Sequence, residues 1–63
     1  MNNLKIIRER RGLTQSQLAQ LSGVSLQEIQ EFEQGSPDTN QTAQLMSLHK
    51  LATALSCNVN DLY

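Results

Sequence analysis

The chain has 63 residues, of which 38% are hydrophobic and 3% aromatic, and a formal net charge of −1 at pH 7. This length allows one domain over residues 1–63, and the scarcity of aromatic residues favours a compact all-helical bundle over a β-sandwich. A single cysteine and a charged N-terminal stretch without a long apolar run exclude a disulfide framework, a signal peptide and a membrane span, so a cytoplasmic location is expected.

The charges are unevenly distributed along the chain. Residues 1–11 hold four of the five cations, Lys5, Arg8, Arg10 and Arg11, against one acid. The remaining residues hold one cation against five acids. The basic N-terminal end can therefore supply contacts to phosphate, although the whole chain is slightly acidic.

The first predicted element is a helix that runs to about Arg11. Asn2 or Asn3 can cap it, because a short polar side chain there accepts a hydrogen bond from a free backbone N–H. Leu4 is expected to face the core, and Gly12 is expected to end the helix.

A second helix is predicted to begin after Thr14. Thr14 and Gln17 have the spacing of a capping box, in which each side chain bonds the backbone N–H of the other residue. Leu18 and Leu21 are expected to form one apolar face. Gly23 follows at the point where a chain leaving a helix needs a positive φ, which glycine adopts at little cost.

A third helix is predicted to run from Ser25 to Gly35. Ser25 and Glu28 form a second candidate capping box, and Ile29 and Phe32 continue the apolar face at helical spacing. Two capped helices joined by a glycine turn are typical of a helix-turn-helix, the unit that places its second helix in the major groove of DNA.

Residues 36–41 form a polar connection to a fourth helix. Asp38, Thr39 or Thr42 is expected to cap this helix. Apolar residues three or four positions apart on the helix mark its buried face: Leu45, Leu48, Leu51, Ala52 and Leu55.

A last helical turn is predicted at the C-terminal end. Asn58 and Asp61 form a third candidate capping box, with Val59 and Leu62 pointing inward. Since so short a chain cannot cover every apolar residue, we also expect Val59, Leu62 and Tyr63 to contribute to a dimer surface.

The remaining reactive side chains do not form a site. His49 and Cys57 are the only histidine and cysteine, and no further ligand stands at the spacing of a zinc site. We expect Cys57 to pack as a small hydrophobic residue and His49 to be solvated. No residues are arranged for nucleophilic catalysis, so we expect neither an enzyme nor a cofactor.

The combined pattern resembles the phage repressor and Cro-like (XRE) helix-turn-helix family. The resemblance spans nearly the whole chain and implies an all-α, lambda-repressor-like DNA-binding domain of about five short helices. It also implies that Ser56 stands where relatives tend to have a C-cap glycine. The residues that carry it are Leu13-Thr14-Gln15, Leu18-Ala19, Gly23-Val24-Ser25, Ile29 and Glu33-x-Gly35.

The resemblance also implies a DNA-binding site. The recognition helix would span about residues 25–34, and an ion pair between Arg8 and Glu33 would lock it to the first helix. Gln15 would contact a phosphate, and the basic first helix would make further phosphate contacts. The residues expected at the DNA interface are Gln15, Ser25, Leu26, Gln27, Gln30 and Glu31.

Three of these side chains have chemistry that suits particular bases. Gln27 can form a bidentate contact with adenine, Leu26 can touch a thymine methyl group, and Glu31 can accept from cytosine N4.

The most favoured function is sequence-specific binding of double-stranded DNA by a transcriptional regulator, as a homodimer on a palindromic site. Three carboxylates on one helix, from Glu28, Glu31 and Glu33, favour an alternative. In that alternative the acidic helix binds a protein partner, as an interaction module or an antitoxin-like component. Salt dependence of DNA binding separates the two, because only phosphate contacts release counterions.

Overall fold

A computed structural model describes residues 3–35 and 41–63 of the chain. Over these two ranges every regular element is helical, which confirms the predicted all-α fold of about five short helices. The elements are α1 (Leu4–Arg10), α2 (Gln15–Ser22), α3 (Leu26–Gln34), α4 (Thr42–Leu55) and a C-terminal 3-10 helix (Val59–Leu62).

Helix α2 has the ends that the sequence predicts. The Gln17 backbone N–H donates to Thr14 Oγ1 at 3.1 Å, and the Thr14 N–H donates to Gln17 Oε1 at 2.8 Å, which completes the capping box. At the other end Gly23 has φ of +76°, and its N–H donates to the Ala19 carbonyl at 3.0 Å. This left-handed glycine turns the chain from α2 into α3.

Gly23→Ala is expected to destabilise the domain by more than about 1 kcal/mol, since L-residues other than glycine are strained at positive φ. No atom lies within 4 Å of a Cβ added there, so backbone strain alone sets the cost. Gly35→Ala is the control, because Gly35 has extended backbone (φ −149°) and an added Cβ there meets no atom of the described residues within 4 Å. Urea denaturation of both variants checks the prediction, and equal stabilities would contradict it.

A single hydrophobic cluster lies between the helices. Leu18, Ile29, Leu48 and Leu51 are buried together in it, as their spacing predicts. The cluster comprises Leu4, Leu18, Val24, Ile29, Phe32, Leu48, Leu51, Ala52, Leu55 and Leu62. It holds α3 against the other helices, so the opposite side of α3 faces outward.

The prediction that Leu21 shares the buried face of α2 is wrong. Leu21 is 63% exposed, whereas Leu18 is fully buried. The chain turns away from α2 at Gly23, and Val24 enters the core beyond the turn. The buried face of α2 therefore ends before its last turn.

Among the described residues, the candidate caps Asn3 and Thr42 do not cap α1 and α4 through their side chains. Asn3 is the N-cap residue of α1, but its backbone is already helical (φ −95°, ψ 0°) and its side chain makes no capping bond. Helix α4 has Gln41 at its N-cap position, also without a side-chain bond, and Thr42 is its first residue. Three other candidate caps lie outside the described residues: Asn2, Asp38 and Thr39.

The C-terminal end of α4 turns at Ser56. This residue has φ of +55°, the left-handed conformation expected where relatives have glycine. The Cys57 N–H then reaches back to the Ala52 carbonyl at 3.0 Å. In the 3-10 helix that follows, the Asp61 carboxylate accepts from the Asn58 N–H at 3.0 Å, one of the bonds of the predicted capping box.

Leu62 cannot belong to the predicted dimer surface, because it is only 1% exposed and packs in the core. The 3-10 helix contacts both α1 and α4, so the Leu62 side chain is covered within one copy of the chain. Of the three residues predicted for that surface, Tyr63 is exposed and Val59 is half-buried.

Candidate nucleic-acid interface

Helix α3 presents one face to the core and the other to solvent. Ile29 and Phe32 are buried, because both lie on the inward stripe of the helix. Ser25 caps the helix, and its Oγ accepts from the Glu28 N–H at 3.1 Å. The outward face carries exposed side chains along its whole length: Leu26, Gln27, Gln30 and Glu31 in the first two turns, and Gln34 in the last.

Two of the outward side chains contact each other. Gln27 Nε2 donates to Glu31 Oε1 at 3.3 Å, across one turn of the helix. Residues four apart on a helix are neighbours, so this bond stabilises the helix surface slightly. It also means that Gln27 and Glu31 form one polar unit on the outward face.

The second predicted capping box is incomplete. The Ser25 side chain accepts from the Glu28 N–H, as a capping box requires. The Glu28 carboxylate, however, accepts from Ser47 Oγ of α4 at 2.8 Å. Both Glu28 and Ser47 are half-buried. A partner on another helix has thus replaced the local backbone N–H, and the carboxylate leaves the outward face of α3.

At the other end of α3, Glu33 forms a bidentate ion pair with Arg8 of α1. Arg8 Nε donates to Glu33 Oε2 at 2.7 Å and Nη2 donates to Oε1 at 3.1 Å. The two side chains are only 9% and 5% exposed. The hydrogen bond from Arg8 to Glu33 raises the pKa of Arg8 above its ordinary value, so the guanidinium stays charged.

The ion pair is part of a larger polar cluster. Arg8 Nη1 donates to the Leu13 carbonyl at 2.7 Å, and Gln15 Nε2 donates to Glu33 Oε1 at 3.0 Å. We call Arg8, Leu13, Gln15 and Glu33 the polar clamp. The clamp joins α1, the turn after it and the start of α2 to the last turn of α3.

The clamp changes the expected role of the basic N-terminal end. Arg8 is buried against Glu33, and Arg11 Nε donates to the Leu55 carbonyl at the end of α4, at 2.9 Å. A cation is well placed there, because the last carbonyls of a helix carry partial negative charge. Of the four cations near the N-terminus, Lys5 and Arg10 are the ones whose side chains remain exposed without such a role.

The three carboxylates of α3 do not share one face. Arg8 neutralises Glu33, and Glu28 turns toward α4. Glu31 alone lies on the outward face. Ser47 was not predicted as a contact, since it stands 19 residues from Glu28 and only the packing of α4 brings them together.

The other reactive groups lie apart from α3. Cys57 is half-buried, and this burial raises the pKa of its thiol, so the group is neutral near pH 7. His49 is exposed on α4. Over residues 3–35 and 41–63, no His, Cys, Asp and Glu side chains are grouped to hold a metal ion. None of the helices described is long and apolar enough to cross a membrane.

Comparison with known proteins identifies the family. A family model described as helix-turn-helix matches residues 4–62. Neither the curated proteins nor the solved structures include a match to the chain. Members of the matched family are DNA-binding regulators and not enzymes. Since the match covers α1 to the C-terminal 3-10 helix, the chain belongs to the XRE-type helix-turn-helix family.

Proposed function

We propose that the chain is a sequence-specific DNA-binding transcriptional regulator that inserts α3 into the major groove. The observation that carries this proposal is an outward polar face on a helix held at both ends. The Glu28–Ser47 bond holds its first turn, and the polar clamp holds its last. A fixed helix suits base recognition, because side chains must meet base edges in a defined register.

The outward side chains suit base edges. Gln27 can pair with adenine, Leu26 can contact a thymine methyl group and Glu31 can accept from cytosine N4. Gln15 and Ser25 stand at the N-terminal ends of α2 and α3, where free N–H groups favour a phosphate. In this arrangement Gln15 Nε2 keeps its hydrogen bond to Glu33 Oε1 while the Gln15 side chain approaches a phosphate.

We further propose that two copies bind one site. One domain of this size reaches few base pairs, whereas a dimer matches the two-fold symmetry of a palindromic operator. The exposed Tyr63 and the half-buried Val59 remain as candidates for the contact between copies.

A protein partner is the second candidate function. The observation that favours it is the charge of α3, whose sequence LQEIQEFEQ contains no lysine or arginine. A partner with a basic surface would be attracted to Glu31, while phosphates would be repelled by it. An antitoxin-like component could combine both activities.

Gln27→Ala is expected to weaken binding to the preferred duplex by about 1–3 kcal/mol and to relax preference at one base pair. Fluorescence anisotropy with duplexes selected from a random pool measures both effects. Gln20→Ala is the control, because Gln20 is an exposed glutamine of α2 outside the predicted interface. Equal losses of duplex affinity in the two variants would contradict a specific contact between Gln27 and a base.

Glu31→Gln distinguishes the candidate functions. If Glu31 reads cytosine, the variant loses affinity for the preferred duplex or changes the preferred base, and this is the result we expect. Uniformly tighter binding to every duplex would instead mean that Glu31 only repels phosphate. Unchanged DNA binding, with loss of a protein complex on reversal of the Glu31 charge, would favour the second candidate.

A further inference from the structure

The contact between Glu28 and Ser47 stands apart from the rest of the packing of α3. Ser47 Oγ donates to Glu28 Oε1 at 2.8 Å, between two half-buried side chains. Helix α3 packs mainly against α1 and α2, and α4 packs mainly against α2 and the 3-10 helix. The hydroxyl of Ser47 is therefore a direct polar link between α3 and α4, beside the apolar side chains that both helices place in the core.

The bond also determines where one negative charge lies. Glu28 stands three residues after the N-cap Ser25, in the first turn of α3. A glutamate at this place can bond the N-cap backbone, as a capping box requires, or extend into solvent. With Ser47 present its carboxylate lies toward α4, away from the outward face that carries Gln27 and Glu31.

We propose that Ser47 is a positioning residue for the recognition helix. Its hydroxyl holds the Glu28 carboxylate against α4, which fixes the first turn of α3 and keeps that charge away from DNA phosphates. The charge part of this inference rests on the proposed DNA-binding function. The positioning part concerns the chain alone and can be measured without DNA.

Hydrogen exchange of the free protein tests the positioning. In Ser47→Ala, the N–H groups of Glu28 and Ile29 should exchange about tenfold faster relative to that of Leu51 in the core, because a hydrogen bond to a charged group is lost. Ser47→Thr, which keeps a hydroxyl, should restore protection. Thr53→Ala is the control, because Thr53 bonds the His49 carbonyl of its own helix. A uniform change at all three N–H groups would mean a general loss of stability and would overturn the proposal.

DNA titration tests the charge. At low salt, Ser47→Ala should bind selected and random duplexes about fivefold more weakly, the effect expected of one released charge near a phosphate. The difference should shrink as salt rises. Adding Glu28→Gln to Ser47→Ala should restore affinity, because the released side chain is then neutral.

The two measurements separate the possible failures. Wild-type affinity in Ser47→Ala, or no recovery with Glu28→Gln, would overturn the charge part of the inference. If the wild-type chain binds no duplex at all, the proposed function is wrong, and hydrogen exchange alone decides whether Ser47 positions α3.

Discussion

Arg8→Met is expected to destabilise the domain by about 3–5 kcal/mol, because removing one partner of a buried ion pair leaves the other charge without compensation. Glu33 would keep only the bond from Gln15, in a site where its side chain is 5% exposed. Small domains have about 0.05–0.15 kcal/mol of stability per residue, so this loss is a large fraction of the total unfolding free energy. Thermal and urea unfolding followed by circular dichroism measure it.

Two further variants make this prediction decisive even if Arg8→Met does not fold. Arg10→Met removes an exposed arginine from the same helix and should leave stability within about 0.5 kcal/mol of the parent. Combining Arg8→Met with Glu33→Met should recover much of the loss, because no buried charge then remains unpaired. If Arg8→Met melts like Arg10→Met, the ion pair does not stabilise the fold.

Leu48→Ala is expected to cost about 2–5 kcal/mol, through lost burial and the cavity left behind. Leu48 is 1% exposed and lies in the cluster with residues of α2, α3 and α4. The cavity would open beneath the recognition helix, so the variant should also lose the fixed position of α3. Urea denaturation at 25 °C measures the change in unfolding free energy.

Met46→Ala is the control for Leu48→Ala. Met46 lies two residues earlier on α4 and is 57% exposed, so its truncation should change stability by less than about 0.5 kcal/mol. Both substitutions place alanine in the same helix, so helix propensity is closely matched. Equal losses in the two variants would contradict the assignment of Leu48 to the core.

Features set by neighbouring residues could be predicted from the sequence. The capping box of Thr14 and Gln17 and the positive φ of Gly23 depend on residues within one turn of each other. The buried residues Leu48, Leu51, Ala52 and Leu55 of α4 follow from helical spacing in the same way, whereas Leu45, predicted with them, is only half-buried. Local signals of this kind define where helices begin and end, and which side faces inward.

Contacts between distant residues could not be predicted in this way. The Glu28 side chain could have completed a local capping box, and its bond to Ser47 depends on how α3 and α4 pack. Arg11 bonds a carbonyl 44 residues away, so its role at the end of α4 also depends on tertiary packing. Leu21 kept the helical spacing of a core residue, but the direction of the turn at Gly23 left it exposed.

The candidate site combines both kinds of information. Burial of Ile29 and Phe32 determines which side of α3 is outward, and this follows from periodicity. The expectation that outward residues contact bases came from the resemblance to repressors. Tertiary contacts determine which charged side chains can interact with DNA, since Arg8 and Glu33 neutralise each other in the polar clamp.

The most direct test of the proposed function is titration of the wild-type chain with a duplex selected from a random pool, repeated from low to high salt. We expect binding at least about 10³-fold tighter to the selected duplex than to a scrambled one. The logarithm of the affinity should fall linearly as the logarithm of salt concentration rises, because phosphate contacts release counterions. Failure to enrich any sequence, with no salt-dependent binding to either duplex, would contradict DNA recognition by α3.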